Sequence, residues 1–495
     1  MCGIGKRFSD AGFINHKSMI EVDGKSMLER VINKFDNINI YLITTKKIES
    51  QLSMNSKWEE VCKKINIIFI DDHKLGPAYS IYKAFDFIPT KIGTYISYCD
   101  ITWEWSKESL LEDETEAAIF CHYGFHPHLV NNNFSAFCKP EKNNLRKLNK
   151  IKEKESFTND WMSEPLSIGL FYINDFKKLK IPLKNMIAKN EKVANEFFPS
   201  ILFNYIKEQG IDVDLISVES FVHYGTVKQL KDIKSWANYF KKSNPIKIFD
   251  YISKKYSASI MISGSGSRMK SVSKVPKYLL KAGKFTLIEH VINNLPINKN
   301  KLSIICNSKQ DFKDISKEIE YFQISKTKSQ FESLLASESF LREKNNFLLC
   351  SCDCFGLFNL KEFDSLVNSN SADIIIFGFE PSLIQEQLKS SYSSFTFYKN
   401  TVKDIYVKEI PNQNFLGLAG FFWFRNGIIL SNALKDYANE INTLNREIII
   451  DDIIKLLNNK KTKILFMQVD KYIHLGTPEE FSEYIYWNSR ISSLI

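Results

Sequence analysis

The sequence has no apolar run approaching the ~20 residues that a membrane-spanning helix needs, and no basic stretch followed by an apolar one opens it. The expectation is a soluble chain working in the cytoplasm, with no membrane partner. Nine cysteines show no metal-type spacing. Cys350, Cys352 and Cys354 alternate near the end of an apparent strand, too close along one chain to bridge one another readily, and read as reduced thiols. Neither sign of charge dominates: 66 Lys and Arg stand against 57 Asp and Glu, and the net +9 is spread along the chain. That distribution gives no nucleic-acid footprint. The Gly-Lys-Ser at Gly24–Ser26 has Met19 where a Walker loop needs its first glycine, which excludes a Walker loop, and no third glycine completes a dinucleotide fingerprint.

What the sequence does have, it has twice. Gly3-Ile4-Gly5-Lys6-Arg7-Phe8, Lys17, Asp23-Gly24-Lys25 and Leu28-Glu29-Arg30-Val31-Ile32-Asn33 are echoed by Gly264-Ser265-Gly266-Ser267-Arg268-Met269, Lys277, Ala282-Gly283-Lys284 and Ile288-Glu289-His290-Val291-Ile292-Asn293. Tyr98-Cys99-Asp100 is echoed by Ser351-Cys352-Asp353, and His223-Tyr224-Gly225-Thr226 by His474-Leu475-Gly476-Thr477. Matched residues stand between 251 and 261 positions apart. A period this long points to a duplicated domain, not a solenoid, whose units run to roughly 20–50 residues. The expected domains are 1–243 and 256–495, each large enough to bury its own core. Lys241–Lys255, polar and holding Pro245, is the expected linker.

Short apolar runs alternate with amphipathic stretches. Ile38–Thr44, Ile67–Ile70, Thr94–Tyr98, Ser259–Ser263, Leu302–Cys306 and Phe347–Cys350 read as strands; Ser26–Phe35 and Gly76–Phe85 read as helices. The alternation predicts an α/β fold with a largely parallel, helix-covered sheet. In the second copy a strand, Ala258–Ile262, feeds the glycine loop. In the first, Met1 stands almost at the loop, and the reading favoured is that the true start lies upstream.

The two Gly-x-Gly-x-Arg loops offer unobstructed backbone NH groups to phosphates, with Arg7 or Arg268 to grip them. Lys17 and Lys277 are placed to neutralise charge that builds as a pyrophosphate departs. The segment Cys121–His128 carries three histidines in a Gly/Pro loop and reads as an acceptor contact in preference to a metal site.

These motifs together resemble the sugar-phosphate nucleotidyltransferases, and the resemblance runs through the chain twice. It implies two tandem Rossmann-like domains of the GT-A-like kind, each a mixed, mostly parallel sheet. It implies an enzyme that joins an NTP to a sugar-1-phosphate or similar small phosphate, releases pyrophosphate, and serves surface-polysaccharide assembly. Arg7 and Lys17 resemble the triphosphate and α-phosphate cations, and Gly3, Gly5, Gly76, Pro77 and Ala78 the nucleotide loops. Asp100 resembles the Mg²⁺-holding aspartate, with His223 a weak second ligand where relatives place another aspartate. Glu153, Lys154, Gly169 and Glu196 resemble the acceptor site. The second copy keeps Arg268, Lys277, Gly264, Gly266, Asp353 and Lys408, but Val407 replaces the carboxylate of Glu153 and Gln330-Phe331-Glu332 crowd the base loop. The first copy is therefore the expected catalyst. The Ser-Gly-Ser-Gly-Ser-Arg-Met loop also looks like that of cytidylyltransferases of alcohol phosphates, which favours CTP or UTP as donor. A homo-oligomer is compatible with this reading. A GT-A glycosyltransferase fits less well, because neither Asp100-Ile101-Thr102 nor Asp353-Cys354-Phe355 is an Asp-x-Asp. A non-catalytic nucleotide- or sugar-phosphate-binding scaffold is the rival from another class.

Overall fold

Strands that are apolar at every position, not at alternate ones, must be covered on both faces. Ala117–His122 is such a run: Ala117, Ile119 and Cys121 enter one core cluster while Ala118 and Phe120 enter another. The period of two along the strand thus sorts one hydrophobic run into two layers of core. A computed structural model describes residues 3, 5–133, 135–242, 255–262, 267–271, 273–309, 312, 315–369, 371–388, 390–440 and 446–494. The chain divides into two compact units, Met1–Lys234 with Arg490–Ile495, and Ser235–Ser489. Most of the expected linker, and both Gly264 and Gly266, lie outside the described residues.

In the first unit the principal elements are strands β1 (Tyr41–Thr44) and β2 (Asn66–Phe69), helix α1 (Pro77–Ala84), strands β3 (Thr94–Ser97), β4 (Ala117–His122), β5 (Ala136–Pro140), β6 (Leu148–Glu153) and β7 (Leu166–Ile173), helix α2 (Pro199–Glu208) and strand β8 (Val213–Ser217). Strands β1 and β2 pair in parallel as a sheet of their own. The other six form a sheet in the order β8-β4-β7-β5-β6, with β3 also pairing β7. In the second unit they are β9 (Ser257–Met261), β10 (Leu302–Cys306), β11 (Glu320–Gln323), α3 (Gln330–Ala336), β12 (Asn345–Ser351), β13 (Ile374–Phe379), β14 (Ser394–Tyr398), β15 (Thr401–Tyr406), β16 (Leu416–Asn426), α4 (Ile450–Asn459) and β17 (Ile464–Gln468). Its sheet runs β11-β10-β9-β12-β16-β13-β17-β15-β14, with β14 also pairing β16. Here β9 joins β10 and β12 in parallel. In the first unit β1 and β3 belong to separate sheets.

Both sheets are α/β in character, but they are mixed and not mostly parallel. The long strands β7 and β16 run antiparallel to β3 and β4, and to β12 and β13, respectively. Strand β14 returns into β15 through the pair Lys399-Asn400, with Lys399 at φ +51°. A turn that short can join only antiparallel neighbours. Hydrophobic runs report burial, not direction, so the expectation of a largely parallel sheet missed these returns.

The Glu of the repeated Leu/Ile-Glu motif is structural. Glu29 accepts from the backbone NH of Ser26 at 2.7 Å while Ser26 caps Glu29 in return, and Thr286 and Glu289 repeat the arrangement. These reciprocal capping boxes start the helices Met27–Ile32 and Leu287–Asn293. Among the described residues, no helix is long and apolar enough to cross a membrane.

Candidate active site

Strand β3 ends three residues before Asp100, and the next strand, Ile101–Glu104, pairs with Ser220–His223 so that Ile101 faces His223. That register sets His223 Nε2 4.0 Å from Asp100 Oδ2. Lys17, in a 3₁₀ turn, donates Nζ to the same oxygen at 2.8 Å. Burial raises the cost of ionising Asp100, but Lys17 and then His223 outweigh it and hold the carboxyl near a pKa of about 2. Burial likewise disfavours the Lys17 ammonium, and Asp100 outweighs it, so its pKa is raised. His223 has its pKa lowered, chiefly by burial against the pull of Asp100. The centre therefore holds one anion, one cation and a neutral imidazole.

The loop before it is tied down by a residue that sequence comparison treats as a loss. His16, where the second copy has Pro276, donates Nε2–H to the carbonyl of Gly3 at 2.9 Å and accepts through Nδ1 from the Ser18 hydroxyl at 2.8 Å. Burial lowers its pKa to about 4, which keeps it neutral and able to do both. Gly5 takes φ +65° to start the short helix Lys6–Ser9 that carries Arg7. Arg7 is exposed, close enough to Lys17 to act on its charge, and forms no ion pair among the described residues.

The segments expected to serve as base loop and acceptor site are one piece of structure. Gly76 caps α1 at φ +88°, and a Cβ there would lie 2.8 Å from Glu196 Cβ and from the backbone N and O of Phe197. Phe197 NH donates to Leu75 O at 2.8 Å, and Ala78 NH donates to Phe197 O at 3.0 Å; Pro77 occupies the first helical turn. Glu153, at the end of β6, accepts from Ser200 Oγ at 2.6 Å, and burial pushes its pKa up. Lys154 follows in the left-handed region at φ +58°, its ammonium 4.7 Å from the Phe198 ring centre. Gly169, at φ +88°, leaves room for the Tyr98 ring, which a Cβ would meet at 2.3 Å. Burial, and then the charges of Glu153, Asp100 and Glu196, push the Tyr98 hydroxyl up. The sequence echo set Tyr98 against Ser351 without giving it a role and did not mark Ser200, whose place in the second copy is held by Asp451.

The second unit repeats the centre with a different charge. Lys277 donates to Asp353 Oδ2, and His474 Nε2 lies 3.3 Å from that oxygen. Glu480 accepts from His474 Nδ1 and from Thr477 Oγ1, and also from Gln385 Nε2 at 3.0 Å. Burial alone would depress the His474 pKa, but Glu480 and Asp353 overcome it and lift it to about 9. Arg268 is exposed, without an ion pair among the described residues. On the base loop, Gln330 Oε1 accepts from Ile450 NH at 3.0 Å and Phe331 is buried in the core. Lys408 stands at φ +55° and donates its backbone NH to Ser393.

The histidine segment is packing in the main. The His126 ring meets Phe221 O at 3.0 Å and stacks on the Phe221 ring, while His128 Nε2 meets Asp232 at 3.1 Å. Both are buried, which corrects the expectation of acceptor contact. His122 lines a polar cleft with Ser106, Lys107 and Tyr123. Among the described residues, no group of three or more His, Cys, Asp or Glu is placed to hold a metal.

Solved structures similar to this chain are nucleotidyltransferases. One is a nucleoside-diphosphate-sugar pyrophosphorylase from Vibrio cholerae, at TM-score 0.39 and 18% identity, covering 47% of this chain and 96% of that one. Another is the inositol-1-phosphate CTP transferase of T. maritima, at TM-score 0.38 and 15% identity, covering 48% and 96%. A third is a UDP-glucose pyrophosphorylase complexed with UDP-glucose, at TM-score 0.37 and 18% identity, covering 48% and 99%. Each likeness spans about half of the chain. No protein-family model matches the sequence, and no curated protein does.

Proposed function

We propose that the chain is a duplicated nucleotidyltransferase whose first unit couples an NTP, with CTP or UTP favoured, to a sugar-1-phosphate or small alcohol phosphate. The observation that supports this reading is the Lys17–Asp100 pair at 2.8 Å beside Arg7, which has no ion pair among the described residues. A cation held at fixed distance from an anion, with a second cation open to solvent, suits a polyphosphate whose charge shifts during reaction.

In the proposed reaction an acceptor phosphate oxygen forms a bond to the α-phosphorus as the α–β P–O bond breaks, and pyrophosphate leaves with that electron pair. Arg7 and the NH groups about Gly3 and Gly5 hold the outgoing phosphates. Lys17 neutralises the α-phosphate. Glu153 accepts hydrogen bonds from acceptor hydroxyls, Lys154 faces the acceptor phosphate, and Glu196 closes the pocket against the loop of Gly76, Pro77 and Ala78. Mg²⁺ fits this donor set: both side-chain partners of Asp100 lie on Oδ2, and magnesium takes one or two carboxylates together with substrate phosphates. When bound it would supply positive charge to the phosphates; the nitrogen of His223 is a poor ligand for it.

In the second unit Asp353 already carries two cations, Lys277 and His474. We take that centre to be silent in turnover. Activation of a precursor for surface polysaccharide, in the cytoplasm, is the role this reaction would serve. The test is pyrophosphate release with Mg²⁺ across four NTPs and a panel of sugar-1-phosphates and polyol phosphates. Acceptor-dependent release with one NTP is the expected result. Nucleotide binding without release from any pair would instead favour a binding scaffold.

A further inference from the structure

The carboxylate that Val407 removes from the second unit returns from another element. In the first unit the strand end supplies the carboxylate, Glu153, and the second residue of α2 supplies the hydroxyl, Ser200, with 2.6 Å between them. In the second unit the second residue of α4 is Asp451, and Ser393, beside the start of β14, donates its hydroxyl to Asp451 Oδ2, also at 2.6 Å. The same Ser393 oxygen accepts the backbone NH of Lys408 at 3.1 Å. Carboxylate and hydroxyl have exchanged places between strand end and helix start, and the pair is kept. The lysine is kept too, in the same left-handed turn: φ is +58° at Lys154 and +55° at Lys408.

The charges around this pair are not spent on the fold. Asp452, the next residue, accepts two bonds from Arg446 and one from Ile449 NH, so its carboxylate is fully used. Among the described residues, Asp451 has Ser393 as its hydrogen-bond donor and no ion pair, and the Lys408 ammonium has no ion pair. Burial raises the carboxyl of Asp451, to a pKa of about 6, as it raises that of Glu153. A half-buried carboxylate that no cation bonds directly costs stability, and a simpler pair would avoid that cost. The nucleotide half of the pocket, by contrast, is altered. Ser329 takes the helix-cap place of Gly76 with φ −143°, and Gln330 is bonded to the start of α4.

We propose that Asp451, Ser393 and Lys408 form a second binding site, for a phosphorylated, hydroxyl-bearing metabolite of the acceptor class, which the second unit holds without an NTP and without turnover. Asp451 takes the hydroxyl hydrogens and Lys408 the phosphate. The assignment of ligand class rests on the reading of Glu153 and Lys154 as the acceptor site. The site would report acceptor supply to the chain, as an effector site does.

Isothermal titration calorimetry on the full chain, without nucleotide, tests this with α-glucose 1-phosphate and glycerol 3-phosphate as probes. Two sites are expected for at least one probe. Glu153→Gln should remove one and Asp451→Asn the other, each by a tenfold or greater rise in Kd, and Lys408→Ala should repeat the effect of Asp451→Asn. The double variant Glu153→Gln/Asp451→Asn should bind neither probe while keeping the far-ultraviolet circular dichroism of the parent. If Glu153→Gln alone ends all binding, or if Asp451→Asn and Lys408→Ala leave the second site unchanged, the proposal is wrong. Absence of binding by both probes at millimolar concentration also overturns it. If Asp451→Asn ends the one binding event seen and Glu153→Gln does nothing, the proposal stands and the reading of the first unit falls.

Discussion

Glu480 accepts a hydrogen bond from Nδ1 of His474, and this contact sets the charge of the second unit's centre. With Glu480 on one ring nitrogen and Asp353 near the other, the imidazole stays protonated to a pKa of about 9 although it is buried. A histidine whose pKa is higher folded than unfolded adds stability that is complete below its unfolded pKa and is lost as pH rises through the folded value. The stabilisation here is thus full below pH ~6.5 and disappears through about pH 9. Its size is on the order of 3 kcal/mol. Replacing Glu480 by Gln should bring the His474 titration below pH 7 by NMR and flatten the stability–pH curve of the second unit above pH 7. A titration unmoved by Glu480→Gln would show that Asp353 alone sustains the charge.

The two aspartates should differ in consequence. Asp100 shares Oδ2 between one ammonium and a neutral imidazole, whereas Asp353 lies between two cations. Asp100→Asn is expected to lower the rate of pyrophosphate release by at least a hundredfold, as loss of a charge that places a phosphate or metal commonly does. Asp353→Asn should change it by less than about threefold, its cost being to stability, since it leaves buried cations unpaired. Equal losses, or a loss confined to Asp353→Asn, would move catalysis to the second unit.

Gly76 is held by space and by backbone conformation. At φ +88° an L side chain is strained, and its Cβ would be 2.8 Å from backbone atoms of Phe197 that cannot swing away. Gly76→Ala should destabilise the first unit by about 2 kcal/mol, read by urea unfolding, and raise the KM for NTP more than it lowers kcat. The loop and Phe197 would part, and the base would lose its platform. A Gly76→Ala chain with parental stability would mean that the loop relaxes without cost.

Much of this arrangement was legible along the chain, and the failures share a cause. The strands, the glycine loop and the aspartate beyond a strand end are local features, so a run of residues shows them. The Lys17–Asp100 contact spans 83 positions, and only its echo in Lys277–Asp353 hinted at it. The exchange of Glu153 and Ser200 for Ser393 and Asp451 is invisible to a position-by-position comparison, which records a carboxylate lost at 407 and an unrelated aspartate gained at 451. His16 is similar: set against Pro276 of the second copy it is a stiff residue lost, but its ring ties the loop by reaching Gly3. Sheet direction failed for a simpler reason, since burial patterns are the same for either direction of a strand.

Gln229 takes the place in the first unit that Glu480 has in the second. Each lies three residues after the threonine of a Gly-Thr pair and bonds back to it: Gln229 Oε1 accepts from the NH and hydroxyl of Thr226 at 3.0 and 3.1 Å, as Glu480 accepts from Thr477 at 2.9 Å. An amide cannot stabilise an imidazolium as a carboxylate does, and burial then leaves His223 with a lowered pKa. Gln229→Glu should therefore convert the first centre to the charge state of the second. His223 would be protonated at neutral pH, and its positive charge would compete at Asp100 with the cation of the metal–nucleotide complex. The expected result is a tenfold or greater fall in kcat/KM at pH 7, most of which returns as pH is raised above 9, where the imidazole is again neutral. The parent enzyme, whose His223 is neutral across this range, should show no such recovery. A pH–rate profile of the two proteins side by side decides it: equal profiles would show that the choice between Gln229 and Glu480 does not govern the difference between the two centres.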